Sequence, residues 1–285
     1  MFEESKVEKF YDEYGLKEWN RLGGTAYGRL MFILHTDFLD DFIGEGKRVL
    51  DAGCGPGRYS IHAAKRKSRV TLLDLSQNQL DIAKQKCREA GVTDYIDGYI
   101  HTGITEMKEI ADNSFDTVVC YGAPLNYLHG ETPKAISELI RVTKNGGEIL
   151  ISVNSRYGVF NSLAIREQIT PEFLSSFWGD PEVFGIYEML ETGNEPAEYP
   201  GKKHPTRHFF NAAELKELLN RKRLTDIELG AVPCVITGAV GSAERFYADS
   251  KAWDTLLNIE KTLYKSEYIL DSGEFLLARA SVRKG

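Results

Sequence analysis

The chain has 285 residues, enough for one large domain with insertions or for two smaller domains. With 42% hydrophobic and 27% charged residues it reads as an ordinary globular chain, and a net charge of −7 gives no basic footprint for a polyanion. The longest early apolar run, Leu30 to Leu34, is far short of a membrane span, and the charged opening shows no signal peptide. A cytoplasmic protein with neither a membrane nor a nucleic-acid partner is expected.

Residues 1–45 are predicted to be helical. Val7, Phe10, Tyr11 and Tyr14 recur at i, i+3, i+4 and i+7, and a second apolar stretch runs from Leu30 to Phe42 after a glycine-rich break. From residue 47, strands and helices alternate. "RVLDAG" reads as a strand, "RYSIHAAKR" as a helix and "RVTLLDL" as a strand. Ser76 with Gln79 three residues on forms a reciprocal helix-capping pattern, and Gly91 ends that helix. "FDTVVCYG" is a buried strand. Thr132-Pro133 reads as N-cap and first helical residue, and "KNGG" turns the chain into the strand "EILISVN". Such alternation predicts a parallel sheet covered on both faces.

Residues 156–205 break the pattern. They are rich in Pro and Gly yet carry Tyr157, Phe160, Phe173, Phe177, Trp178, Phe184, Tyr187 and Tyr199, too aromatic for a solvated linker. A helix ("NAAELKELLNRK"), a strand ("TDIELGAV"), a helical insertion at 242–266 and the closing strand "EFLLARASV" follow. Cys54, Cys87, Cys120 and Cys234 are far apart and form no CxxC pair, so they read as buried thiols and no metal is expected.

The glycine loop in "VLDAGCGPGRYS" carries the chemistry. A dinucleotide fingerprint would place its third glycine where Arg58 stands, and the Gly-Lys-Ser/Thr of a P-loop is absent. Asp51, at the strand end, would repel a diphosphate but attract an ammonium or sulfonium. Asp74 ends the next strand, where a carboxylate can accept both hydroxyls of a ribose. Adenosine with a cationic tail fits both positions.

In order and spacing, "VLDAGCGPGRYS", "VTLLDLSQNQLDIAKQK", "FDTVVCYGAPLNYL" and "ELIRVTKNGGEILISV" resemble the core motifs of class I S-adenosylmethionine-dependent methyltransferases. The resemblance implies a Rossmann-like, seven-stranded, mostly parallel α/β sheet with helices on both faces, its last strand antiparallel. It implies that Gly53, Gly55 and Gly57 pass under S-adenosylmethionine, Asp51 holds its ammonium, Asp74 its ribose, and Leu75 packs on the adenine. Cys120 and Tyr121 would border the methionyl part. Members of that family often carry an acid in the loop before Phe115, against the adenine amino group; here that stretch reads "HTGITEM" with Gly103 at the position, and the backbone groups of Gly103 and Ile104 would serve instead.

The expected organisation is an N-terminal helical cap (1–45), a cofactor-binding core (46–155 and 206–285, with the insertion 242–266) and a lid or substrate insertion (156–205). Arg58 is a candidate cofactor contact; Tyr11, Trp19 and Asn126 are candidate lid or acceptor contacts, although "APLNYLHG" also reads as a packed turn. His204, His208, Tyr14 and Tyr157 are the candidate general bases, with Pro205 arguing against a histidine pair on one helix face. The expected reaction is methyl transfer to an O, N or S atom of a small metabolite, releasing S-adenosylhomocysteine, by a monomer or homodimer. RNA or protein methylation, and S-adenosylmethionine binding without transfer, are the alternatives. The absence of Asn/Asp-Pro-Pro-Tyr after the fourth strand speaks against base methylation.

Overall fold

The computed structural model describes residues 3–166, 186–197 and 202–284. Phe173, Phe177, Trp178, Phe184 and Tyr199 of the aromatic stretch lie outside them.

Seven strands form one sheet in the order β3-β2-β1-β4-β5-β7-β6. They are β1 (Arg48–Ala52), β2 (Arg69–Asp74), β3 (Ile96–His101), β4 (Phe115–Cys120), β5 (Thr143–Asn154), β6 (Thr225–Val232) and β7 (Phe275–Ser281). β7 runs antiparallel to both β5 and β6, and the other pairings are parallel. β3 has no counterpart in the sequence reading. It is a half-exposed edge strand, so its residues carry no continuous apolar run.

Strand alternation divides the core in two. Val49, Val70, Leu72 and Val119 belong to one apolar cluster with α3 (Ala26–Leu39), α4 (Arg58–Lys65) and α5 (Gln77–Glu89). Leu50, Leu73, Val118 and Ile149 belong to the other, with α6 (Thr132–Val142) and the helix Ala212–Arg221. The expected insertion at 242–266 is two helices, Val240–Tyr247 and Ser250–Leu263. They pack on α3 and are the same unit's outer layer.

Several local expectations shift. α3 starts at Ala26 because Thr25 accepts from the Gly28 N–H, so the "break" already contains the next helix's cap. Thr132 lies inside α6, one position later than the N-cap predicted for it. "KNGG" is part of β5, absorbed as an irregularity with Gly146 at φ 78°.

The cap consists of α1 (Glu4–Tyr14), α2 (Leu16–Arg21) and α3. α1 buries only Val7 and α2 buries no residue, so polar contacts hold both. Asp12 accepts from the Ser76 hydroxyl and the Asn78 N–H. Only half of the capping pattern forms: Ser76 caps Gln79, but the Gln79 amide donates to the carbonyls of Tyr11 and Gly15 instead. The cap therefore docks on the start of α5.

Candidate active site

The site lies outside the carboxyl ends of β1, β2 and β4, beneath the cap, where an open α/β sheet binds ligands. The Gly53 and Cys54 N–H groups both donate to the Leu73 carbonyl, which folds the glycine loop across the end of β2. Gly53, at φ 80°, cannot accept a side chain: an added Cβ would lie 2.5 Å from Pro124 Cγ. The loop is thus pressed against the segment after β4.

Asp74 joins the two loops. Its Oδ2 accepts from the Gly55 N–H at 2.7 Å and its Oδ1 from the Ser76 N–H at 2.9 Å. Burial pushes its carboxyl up to about 6, against the lowering by those two bonds. Both oxygens keep a lone pair for a ligand, and Asp74 lines a cavity with an empty volume of about 930 Å³, part of it open to solvent.

Of the candidate residues, Gly53, Gly55, Arg58, Leu75, Gly103, Ile104, Tyr121 and Tyr11 also line this cavity. α1 adds Glu8, 3.5 Å from the His101 Nε2, to the wall that Thr102 and Gly103 also line. Asp51 is not on the wall but behind it. It is 1% exposed, its Oδ2 accepts from the Ser60 hydroxyl at 2.5 Å, and its Oδ1 has no partner. Burial raises its carboxyl to about 7. Tyr121, fully enclosed beside Tyr59, also has an unpartnered hydroxyl.

Other candidates fall elsewhere. Cys120 points into the core of the opposite sheet face, because alternation gives the cavity Tyr121 and not its neighbour. Gly57 caps α4 and permits close packing: an added Cβ would lie 3.2 Å from both Ala83 Cβ and Leu72 Cδ2. Arg58 reaches the wall, yet its Nε and one Nη donate to the Trp19 carbonyl, and its guanidinium lies 3.9 Å from the Trp19 ring centroid. Trp19 is accordingly the clasp between cap and core, outside the cavity wall.

Asn126 is fully buried and is the packed turn. Its amide donates to the His208 carbonyl, and its Oδ1 accepts from the Asn154 N–H. His208 is held between Glu214 at 2.6 Å and Asn194 at 2.9 Å, away from the cofactor cavity. Tyr157 is 40% exposed on the helix Arg156–Ile165 and does not border this cavity.

A second, wider cavity adjoins the first, with an empty volume of about 1880 Å³ that includes open solvent. Tyr11, Glu18, Arg21, Gly122 and Tyr127 line both. The Tyr11 and Tyr127 hydroxyls are hydrogen-bonded at 3.0 Å across the junction. Tyr14 and His204 line only the second cavity, as do Tyr27 and Glu274, which share a 2.8 Å hydrogen bond. Sequence reasoning missed Glu18 and Arg21. Their i, i+3 spacing on a short helix beside the aromatic stripe was the available signal. Among the described residues no group of His, Cys, Asp and Glu could hold a metal, and no helix is long and apolar enough to cross a membrane.

Sheet order, antiparallel β7, glycine loop and acid-tipped β2 together define the Rossmann-like fold of class I methyltransferases. The family described as "Methyltransferase domain" matches residues 49–147. That match spans about a third of the chain, from β1 into β5. The chain is 36% identical over 107 residues to malonyl-(acyl-carrier protein) O-methyltransferase of Serratia marcescens, covering 38% of each chain. It is 36% identical over 126 residues to a ubiquinone biosynthesis O-methyltransferase of Dechloromonas aromatica, covering 43% of this chain and 51% of that one. The matches thus span about half or less of these curated relatives. Among solved structures, phosphoethanolamine N-methyltransferase 2 of Haemonchus contortus, in complex with S-adenosyl-L-methionine, superposes with a TM-score of 0.58 at 20% identity. That likeness covers 96% of this chain and 60% of that one and concerns the fold.

Proposed function

We propose that the protein binds S-adenosylmethionine in the cavity under the cap and transfers its methyl group to a small organic molecule held in the adjoining cavity. The carrying observation is Asp74: a carboxylate tied to both loops, facing a cavity walled by glycine backbone. Such a wall repels a diphosphate and suits a ribose beside a cationic tail.

The residues fit that ligand. Asp74 takes the ribose hydroxyls; Leu75, Gly103 and Ile104 flank the adenine, with Glu8 available to its amino group. The unpartnered Oδ1 of Asp51, behind the wall, suits the ammonium of the tail through a bridging water. The bound cofactor supplies an electrophilic methyl on a sulfonium. The chain's own contribution is alignment and exclusion of water, worth about 7–11 kcal/mol of barrier when geometry is well held. Tyr121 offers an aromatic face to positive charge, an attraction of about 0.5–2 kcal/mol. Tyr14 and His204 are the sequence candidates that remain near an acceptor; burial lowers the His204 pKa and so favours a neutral imidazole.

Calorimetry with S-adenosylmethionine and S-adenosylhomocysteine tests the cofactor assignment, and no heat at millimolar ligand would sink it. Radiolabelled methyl donor with a small-molecule fraction of cell extract then tests transfer. Label appearing only in RNA or protein would replace the small-molecule reading.

A further inference from the structure

We infer that Glu274 selects the methyl acceptor by taking a hydrogen bond from an uncharged donor, a hydroxyl or N–H, at the acceptor's far end. This rests on reading the wider cavity as the acceptor site. Glu274 stands just before β7, and its carbonyl accepts from the Ser155 N–H at 3.0 Å, so the sheet ladder holds its backbone. Its side chain is held as firmly. Oε2 accepts from the Tyr27 hydroxyl at 2.8 Å, from Arg166 Nη2 at 2.8 Å and from the Ser162 hydroxyl at 3.1 Å. The Tyr27 hydroxyl is fixed in turn by the Gly238 N–H at 2.7 Å.

Three donors on one oxygen leave the other uncommitted. Oε1 accepts from no described residue, and it is not sealed from solvent. Glu274 lines the wider cavity and not the cofactor cavity, so Oε1 is an acceptor offered to whatever the wider cavity holds. A carboxylate has no proton to give, so its partner must supply one. Two observations choose that partner. Arg166 already balances the charge of Glu274 at 2.8 Å. The described wall also carries five Lys or Arg residues against three Glu, which disfavours an ammonium and leaves an uncharged donor. β5 lies between β4 and β7, which sets Glu274 two strand spacings, about 10 Å, to the side of the β4 end that meets the cofactor cavity. Glu274 therefore grips the acceptor away from the reacting atom and determines specificity.

Ligand-observed NMR on the S-adenosylhomocysteine complex compares phenol, anisole and benzylamine at neutral pH. Their rings suit a wall that includes Tyr14, Tyr27 and Phe275. Anisole keeps the ring and adds a methyl but has no proton to give, so burial alone would favour it. Wild-type protein should bind phenol at least about fivefold tighter than anisole, and tighter than benzylamine. Glu274→Gln can leave its carbonyl with the three donors and turn its amide N–H groups to the cavity, so the preference should fall by half or more. Ser162→Ala removes one tie from Oε2 and should keep the preference. A smaller wild-type ratio, including no binding of phenol at all, overturns the assignment. So does a ratio that Glu274→Gln leaves unchanged, or an equal loss in both variants, which marks a purely structural residue. Tighter binding of benzylamine makes the ligand a cation and overturns it as well. The probes are also measured on the protein alone. A protein that ignores S-adenosylhomocysteine but keeps the phenol preference loses the cofactor reading, and Glu274 keeps its donor specificity.

Discussion

The two adjoining cavities are built in different ways. The cofactor cavity draws most of its wall from short loops that follow β1, β2, β3 and β4, and much of what it presents is backbone held by Asp74 and Leu73. The wider cavity is assembled from side chains far apart in sequence, from Tyr14 and Tyr27 to His204 and Glu274. A wall of backbone demands glycines and a carboxylate at fixed spacing. A wall of side chains can be rebuilt residue by residue without disturbing the sheet. The first is thus suited to a constant ligand and the second to a variable one.

Asp74→Ala should break that contrast most severely. It frees the Gly55 and Ser76 N–H groups and would remove the two charge-assisted ribose bonds proposed above, each worth about 1.5–3 kcal/mol. S-adenosylhomocysteine affinity should fall about 100-fold or more by calorimetry. An unchanged affinity would mean that Asp74 is only a loop tie and the ribose lies elsewhere.

Asn126→Ala sharpens the contrast from the other side. It strips buried partners from Asn154 and His208, a cost of about 1–3 kcal/mol per orphaned group. The Tm should drop by several degrees, since about 2–4 °C accompany each kcal/mol in domains of about 150–250 residues. S-adenosylhomocysteine affinity should hold. Lost affinity at an unchanged Tm would return Asn126 to the site.

The legibility of the two cavities in the sequence follows from the same difference. Asp51, Asp74 and the glycines declare themselves because backbone close approach and a strand-end acid restrict residue type. Sheet strands buried on both faces were equally plain, whereas β3 was missed because half of it faces solvent. Nothing local tells Cys120 from Tyr121; only the pleat, once the sheet is assembled, sends one into the core and the other to the ligand. Glu18 and Arg21 look like an ordinary surface pair until α2 is seen folded over the glycine loop. Trp19 was read as a ligand contact because its partner, Arg58, lies 39 residues away. The side-chain cavity depends wholly on such long-range encounters.

A smaller effect is expected from pH. Burial raises the carboxyl pKa of Asp51 from 3.8 to about 7 and of Asp74 to about 6. The folded protein then holds protons that the unfolded chain has released. Their stabilising contribution is complete below about pH 4 and is lost as pH rises through 6–7. A ligand that needs both carboxylates ionised does the opposite: S-adenosylhomocysteine affinity should rise between about pH 5.5 and 8, by at most about tenfold per unit and per group. Asp51→Asn should abolish the upper part of that rise. A flat affinity profile, with stability climbing over the same range, would overturn both assignments.

The smallest effect sits at the junction. The Tyr11–Tyr127 hydrogen bond is one of the few direct ties between α1 and the segment after β4, and net values for such bonds are about 0.5–1.5 kcal/mol. Tyr127→Phe keeps the edge-to-face ring contact at 5.8 Å and removes only the hydroxyl. If the pair helps keep the cap closed over the cofactor, the release rate of S-adenosylhomocysteine should rise about two- to tenfold, followed by Trp19 fluorescence in stopped flow. The Tm should move little, because α1 buries only Val7 and unfolds at low cost. An unchanged release rate would assign the pair to packing alone and leave cap closure to Arg58 and Asp12.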